Sequence, residues 1–497
     1  MALKVFNTLK GEKETFKPLK DSKVNMFVCG PTVYDYPHLG HARTYISYDI
    51  IAKWLRYKGY EVNFLMNITD VDDKIIRRAK ETGISPMKLA SNFEKIFYED
   101  MAAIGVNSID TFARASEHIA EIEKQIFRLV ENGYAYATST GIYFDITKFS
   151  DYGKLSHQNL KELKKHRIEQ DATKKHLQDF SLWKVTDPSE VPKWTLKVDL
   201  LLPQERINFV LGEGSEKYVK IENGKLKISM PGRPGWHIED TAIAEKYFGS
   251  RYDLHGGGHD LIFPHHESEI AQMEASSGKK PFVKYWIHTG FLTVNGQKMS
   301  KSLKNFTTIR DVLKEYDAEV LRLFFASSIY RSQVDYNFDN LKQSKTNLER
   351  LYNTLEIIKS SQIGKENASP LFRELRGIRS NFEKAMDDDF NTPDALSILF
   401  DASSKINKFL SEYKISSEEM AKIEREFHEL AGVFGLLRKE LVTEDISEET
   451  KALIQKREKF REAKMFAEAD QIREELKRRG IVIDDTQSGP RQKPKKG

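Results

Sequence analysis

Residues 24–43, VNMFVCGPTVYDYPHLGHAR, constrain the fold of this 497-residue chain more than any other stretch. Residues 24–28 are apolar and β-prone, the composition of a short buried strand. The strand ends at Cys29, the only cysteine in the sequence. Gly30 and Pro31 then break regular structure. His38-Leu39-Gly40-His41 opens a helical segment, with Ile46, Ile50, Ile51, Trp54 and Leu55 at helical spacing and an expected end near Gly59. A second strand, residues 62–66, follows at once. Strand, helix, strand is a βαβ unit, which puts chemistry at the carboxyl end of its first strand.

The two histidines sit three apart, so both rings share one helix face. The unpaired N–H groups and partial positive charge of a helix N-terminus suit phosphate. Gly40 removes a side chain where a base or phosphate can approach the backbone. The plain alternative is a pair of histidines that cap a helix, because four residues match easily by chance. A second motif, Lys298-Met299-Ser300-Lys301-Ser302, lies far downstream on a polar stretch. Two lysines bracketing small polar residues form a cationic arm suited to a leaving pyrophosphate. Alone, such a loop is ordinarily solvated surface.

HxGH on a first βα turn, with KMSKS downstream, resembles the paired signatures of the class I aminoacyl-tRNA synthetases. FVCGPTVYDYPHLGHART, NITDVDDKI, RPGWHIE, HGGGHDLIFPHHESEIAQ and KMSKSLKNF narrow the resemblance to cysteinyl-tRNA synthetases. MDDDFNTPDAL and FAEADQIREELKRRGIVIDDT extend it over nearly the whole chain. The resemblance implies an α/β Rossmann-type catalytic domain with an inserted connective segment. An all-α tRNA-binding region and a small C-terminal domain should follow. The expected divisions are 1–155 and 236–310 for the two catalytic halves and 156–235 for the insertion. A helical stem-contact region at 311–364, a helical bundle at 365–440 and a basic anticodon-binding domain at 441–497 complete them.

Composition agrees. No apolar run reaches the ~18 residues of a membrane span, and the first residues lack a signal-peptide core. A single cysteine excludes an internal disulfide framework and fits a reducing cytoplasm. Net charge is +4, but residues 451–497 carry 14 Lys/Arg against 8 Asp/Glu, so the basic excess is terminal. That end favours phosphate contact. Phe466 there stands where the resembling family carries an aromatic residue for the anticodon; packing is the other role open to it.

Along the chain, residues 76–135 read as helical. Asn67 to Asp70 follow the second strand on the rim that holds Cys29, and Asp70, Asp72 and Asp73 read as an acid cluster at a helix start. Beyond residue 198 the chain is longer than the family's usual link. Within it YVKIENGKLKISM alternates apolar and polar residues about Asn223-Gly224, a hairpin with a type I′ turn, expected over the active-site entrance. Gly256-Gly257-Gly258 reads as a loop. Residues 332–338 form a short link between helices, and Asn391-Thr392-Pro393 reads as a capped, proline-initiated helix start.

His265 and Glu269 are four apart and face the same way from one helix, whereas His266 points about 100° away. The resembling family holds zinc with two cysteines, a histidine and a glutamate. Those positions fall on Cys29, Asp240, His265 and Glu269, with Asp240 replacing a cysteine. Aspartate is an accepted zinc ligand, and losing a thiolate makes the set harder and more open to Mn or Fe; the alternative is that Asp240 points elsewhere. By resemblance, Gly30, Thr69, Trp236, His237 and Asp260 meet the amino acid. His38, Gly40, His41, Gly257 and Lys301 meet ATP, with His38, His41, Lys298 and Lys301 acting on its phosphates and Mg²⁺ accompanying the nucleotide. The expected partners are L-cysteine, ATP and tRNA(Cys), for a cytoplasmic monomer. The rivals are an ATP-dependent ligase joining cysteine to an aminosugar, a non-catalytic RNA-binding paralogue, and a shorter HxGH nucleotidyltransferase.

Overall fold

The computed structural model describes residues 2–158, 171–186, 194–299, 305–439, 448–478, 482–486 and 489–493. The chain forms two compact units, one of residues 2–315 with 330–336, the other of residues 316–329 with those from 337 onward.

The first unit is built on a five-stranded parallel sheet. In spatial order its strands are Val283–Thr289, Tyr252–Gly258, Lys23–Val28, Glu61–Ile68 and Thr111–Arg114. Val24, Met26, Phe27 and Val28 are all buried. Burial on both faces explains why the end of this strand, Met26 to Val28, is a continuous apolar run rather than an alternation. From it the chain steps one way through the helix Leu39–Tyr57 into Glu61–Ile68. From Tyr252–Gly258, on its other side, the chain steps the opposite way through the helix Glu267–Ser277 into Val283–Thr289. The reversal is a topological switch point, and Cys29 emerges at it. Open α/β sheets bind ligands at that place.

Leu39–Tyr57 packs Leu39, Ala42, Ile46, Ile50, Trp54 and Leu55 into the core. Each large apolar side chain so buried contributes about 1.5–3 kcal/mol. The helix stops at Lys58, and Gly59 turns the chain with φ +88°. The stretch read as continuous helix, residues 76–135, is instead Asp73–Thr82, Pro86–Ala103 and Ile119–Glu131, with the strand Thr111–Arg114 between them. Four residues at a sheet margin are too few to show a periodicity.

The inserted region is antiparallel. Its sheet runs Val219–Glu222, Lys225–Pro234, Phe180–Val185, Gly141–Phe144, Ala135–Ala137. The expected hairpin is present. Glu222 faces Lys225 across Asn223 and Gly224, whose φ values are +53° and +75°. A further strand, Trp194–Leu201, pairs with Lys225–Pro234 from Gly232↔Trp194 to Lys225↔Leu201. Its inward side chains Leu196, Val198 and Leu200 bury against the same core. The long strand then leads directly into Gly235 and Trp236. Just before them the buried Arg233 pairs with Asp73, which also takes Lys184 at 2.8 Å.

The link at residues 332–338 contains the strand Val334–Tyr336, parallel to Leu292–Val294. In the second unit, Ala318–Ala326, Phe338–Ser360, Ser369–Met386, Thr392–Glu412 and Ser417–Val433 form helices around Leu351, Leu355, Phe382, Leu399, Ile406 and Phe427. Asn391 caps its helix by accepting from Asp394 N at 3.3 Å, with Pro393 in the first turn. Glu448–Glu462, Phe466–Arg478 and a hairpin, Val482–Thr486 with Gly489–Lys493, complete the chain. Among the described residues no helix is long and apolar enough to cross a membrane.

Candidate active site and metal centre

Cys29 is held at the sheet's carboxyl edge by its N–H, which donates to Gly256 O at 3.0 Å. Its Sγ lies 3.0 Å from His266 Nε2, 3.3 Å from His255 Nε2 and 3.9 Å from Glu269 Oε1. His265 Nε2 lies 3.1 Å from Glu269 Oε1 and 3.1 Å from Asp240 Oδ2. The donor atoms of Cys29, His265, His266 and Glu269 all fall within 4.8 Å of one another, and all four residues are buried.

His266 therefore belongs to this group, contrary to the expectation from helical spacing. Residues Ile262–His266 form a wide turn with an extended Phe263 (φ −133°, ψ 133°), and the regular helix starts only at Glu267. A step of 100° per residue does not apply before that point. The relation of His265 to Glu269 holds. Asp240 stands beside the group, with Oδ1 accepting from Asn67 Nδ2 at 2.6 Å and Oδ2 against His265.

The histidines are oriented from behind. His265 Nδ1 lies 2.7 Å from His237 Nδ1. His266 Nδ1 lies 2.8 Å from His288 Nε2, and His288 Nδ1 lies 2.8 Å from Thr8 Oγ1. Such contacts fix ring orientation and leave both Nε2 atoms on the donor group, as metal-ligating histidines require. Sequence reasoning missed His255, His288 and Thr8. A histidine inside a β-prone segment was the available signal for the first two.

Burial pushes the Cys29 thiol well above its ordinary range, and Asp240 and Glu269 push it further. Burial also raises the Glu269 and Glu239 carboxyls, and Asp240 adds to both. Burial keeps His255 and His266 neutral, with neighbouring imidazoles helping. Glu269 Oε2 is buried 3.4 Å from His255 Nε2 and has no hydrogen-bond partner among the described residues. Packed acids, neutral imidazoles and an orphaned carboxylate oxygen suit a divalent cation. One ion compensates the charge and accepts the orphan. The residues present therefore fit a divalent metal ion, with one sulfur and several nitrogen and oxygen donors.

Of the residues expected to contact the amino acid, Trp236 and His237 adjoin this group. The Trp236 ring sits over His265 with centroids 4.4 Å apart. Thr69 hydrogen-bonds Glu239 through its hydroxyl. Gly30 N donates to Asn67 Oδ1 at 2.6 Å, and a Cβ at residue 30 would lie 1.7 Å from Asn67 O. Asp260 is exposed in a short turn just past the glycine run. The run itself is not a loop but the end of the strand Tyr252–Gly258. A Cβ on Gly256 would lie 2.4 Å from the Tyr48 ring, and one on Gly257 2.8 Å from His266. Those glycines are there because neighbouring side chains cross directly over the strand.

At the other end, His38 is the N-cap of its helix. His38 Nδ1 accepts from Gly40 N at 3.0 Å, and His41 Nδ1 accepts from His38 N at 3.2 Å. The rings stack with centroids 3.9 Å apart and planes 17° apart. The capping alternative is thus realised through the Nδ1 atoms. Burial holds His41 well below the usual histidine range, with His38 and Lys74 adding to it. The downstream motif meets this turn. Met299 Cε lies 3.7 Å from where a Gly40 Cβ would be, Leu39 N donates to Thr307 O at 3.1 Å, and Ile309 N donates to Pro37 O at 3.1 Å. Lys298 is exposed at the end of Gln297–Lys298. Lys301 lies outside the described residues. Phe466, in the second unit, is 59% exposed at the start of its helix.

The profile for the class I (C) tRNA synthetase catalytic domain matches residues 15–197 and 219–346. A DALR domain profile matches 381–438, and one for the cysteinyl-tRNA ligase anticodon-binding domain matches 443–492. A cysteine–tRNA ligase of Thermococcus gammatolerans is 47% identical, covering 98% of each chain. Those of Pyrococcus horikoshii (46%, 98% of each) and Methanococcus maripaludis (44%, 97% of each) are similar. Among solved structures, methionyl-tRNA synthetase of Mycobacterium tuberculosis with methionyl-adenylate superposes with a TM-score of 0.55 at 15% identity, over 83% of this chain and 89% of that one. The LeuRS–tRNA–LeuAMS complex of Agrobacterium radiobacter gives 0.58 at 12%, over 85% and 86%. At those identities the likeness is one of fold.

Proposed function

The chain belongs to the cysteine–tRNA ligase family of class I tRNA synthetases, and from that premise we propose that it activates L-cysteine with ATP and passes it to the 3′ end of tRNA(Cys), as a cytoplasmic monomer. The observation that carries the reading is the buried group of Cys29, His265, His266 and Glu269 at the switch point. Cys29, His265 and Glu269, with Asp240 or His266 completing the set, would hold Zn²⁺. A bound ion of this kind supplies an open position that takes the substrate's thiolate and refuses serine's hydroxyl. A plain apolar pocket separates such neighbours by only about 10- to 200-fold.

The chain's own residues do the rest. Trp236 and His237 enclose the amino acid, Thr69 and Gly30 line its side, and Asp260 receives its ammonium group. The carboxylate then attacks the α-phosphate of Mg²⁺-bound ATP, and catalysis is positioning and charge stabilisation. His38 and His41 face the phosphates, with Gly40 allowing close approach. Gly257 offers backbone to the adenosine, and Lys298 and Lys301 take the leaving pyrophosphate. Phe466 stacks on an anticodon base. The anticodon-domain match at 443–492 argues against an aminosugar ligase, which lacks that domain.

Metal analysis of the purified protein, run beside cysteine- and serine-dependent pyrophosphate exchange, tests the reading. One equivalent of metal and exchange with cysteine alone is the expected result. Equal exchange with both amino acids would overturn it.

A further inference from the structure

Bringing a carboxylate onto a phosphate joins two anions, and beyond the proposed metal ions the chain places few cations near that junction. At the phosphate end, burial keeps the His41 imidazole neutral. Glu239, Asp240 and Glu269 are acids. Arg233 and Lys184 both pair with Asp73. Lys298 and Lys301 belong to the pyrophosphate end.

Lys74 is placed differently. Its Nζ lies 5.7 Å from the Tyr34 ring centroid and 5.8 Å from that of Trp236. Trp236 covers His265, so this side of the lysine faces the thiol end of the pocket. Its charge is also felt at His41, on the phosphate end. Lys74 lies in the first turn of Asp73–Thr82, where a cation opposes the helix dipole. Helix stability therefore does not account for it. Asp72 is the N-cap and accepts the backbone N–H of Lys74 at 2.8 Å, while Asp73 is taken by Arg233 and Lys184. Among the described residues Lys74 has no carboxylate partner, only two aromatic faces, which hold a cation while leaving its N–H donors open.

We propose that Lys74 is the cation that receives the substrate's carboxylate and holds it against the α-phosphate of ATP. In the step it serves, a carboxylate oxygen bonds to the α-phosphorus as the bond from that phosphorus to the bridging oxygen breaks. Pyrophosphate leaves with the electron pair, and Lys74 keeps its proton throughout, pairing first with the carboxylate and then with the charge on the transferring phosphate. The inference rests on the reaction proposed above and adds a residue to it.

The test compares Lys74→Met, which keeps the stem between the two rings, and Lys74→Arg in the full, metal-loaded chain. Calorimetric titration reads the dissociation constants of L-cysteine and of L-cysteinol, which keeps the thiol and ammonium but lacks the carboxylate. Lys74→Met should weaken L-cysteine at least tenfold and leave L-cysteinol within twofold, and Lys74→Arg should recover most of the loss. Equal weakening of both ligands would reduce Lys74 to a packing role and overturn the proposal, as would no weakening of either. Failure of the unmodified chain to bind cysteine would overturn the underlying reaction as well, and is seen without any variant.

Discussion

At the residue scale, the most constrained positions are those where a side chain is forbidden or a thiol is required. A Cβ on Gly256 would lie 2.4 Å from Tyr48, whose hydroxyl donates to Ile287 O at 2.6 Å and accepts from Gly257 N at 2.7 Å. Gly256→Ala is expected to cost about 1–3 kcal/mol by overpacking, read as a lower urea midpoint at unchanged slope. Cys29→Ser removes one atom's identity and little volume. It should keep the fold, lose most of the bound metal, and cut cysteine-over-serine discrimination at least tenfold in pyrophosphate exchange. The grouping of Cys29, His265 and Glu269 was legible because each sits in a recognisable motif. His266 was misplaced because periodicity was applied one residue before the regular helix began. Thr8 was invisible because its partner, His288, lies across the fold, not nearby in sequence.

Elements were legible in proportion to their length and regularity. The helix Leu39–Tyr57 and the Asn223-Gly224 hairpin carry strong local signals. The strand Thr111–Arg114 has four residues, and the glycine end of Tyr252–Gly258 has a loop's composition. Tertiary packing decides both. In the inserted sheet, Asp171 ties the strand Gly141–Phe144 to the following segment. It accepts from Tyr143 OH at 2.6 Å, Thr140 Oγ1 at 2.7 Å and Thr173 N at 2.8 Å. Burial opposes its ionisation, but these hydrogen bonds outweigh that and bring its pKa down to about 2. A depressed carboxylate stabilises the fold above its unfolded pKa of about 3.9 and loses that contribution as pH falls toward 2. With solvent screening, Asp171→Asn should cost about 1 kcal/mol at pH 7, and the difference from the unmodified protein should vanish near pH 2 in parallel denaturant titrations. In the second unit, buried Glu319 accepts from Leu437 N at 2.7 Å, Arg438 N at 3.1 Å and Tyr352 OH at 2.9 Å. Glu319→Ala strands these donors and is expected to cost about 2–4 kcal/mol in thermal unfolding.

For the whole molecule, the catalytic sheet followed by helices was readable from the order of motifs, and the profiles at 15–197 with 219–346, 381–438 and 443–492 follow that order. Removing metal with a chelator should leave packed acids in the first unit without their counter-charge. Calorimetry is expected to show a lower melting temperature, recovered on adding Zn²⁺, by about 3 kcal/mol at a hundredfold excess over the dissociation constant. The first residues make a contribution of another kind. Asn7 Nδ2 donates to Lys284 O at 3.0 Å, Thr8 N donates to Trp286 O at 2.8 Å, and Thr8 reaches His288. The catalytic profile begins only at residue 15. A recombinant version trimmed to that boundary would bare the backbone of a marginal strand and invite self-association, so purification handles belong at the opposite terminus.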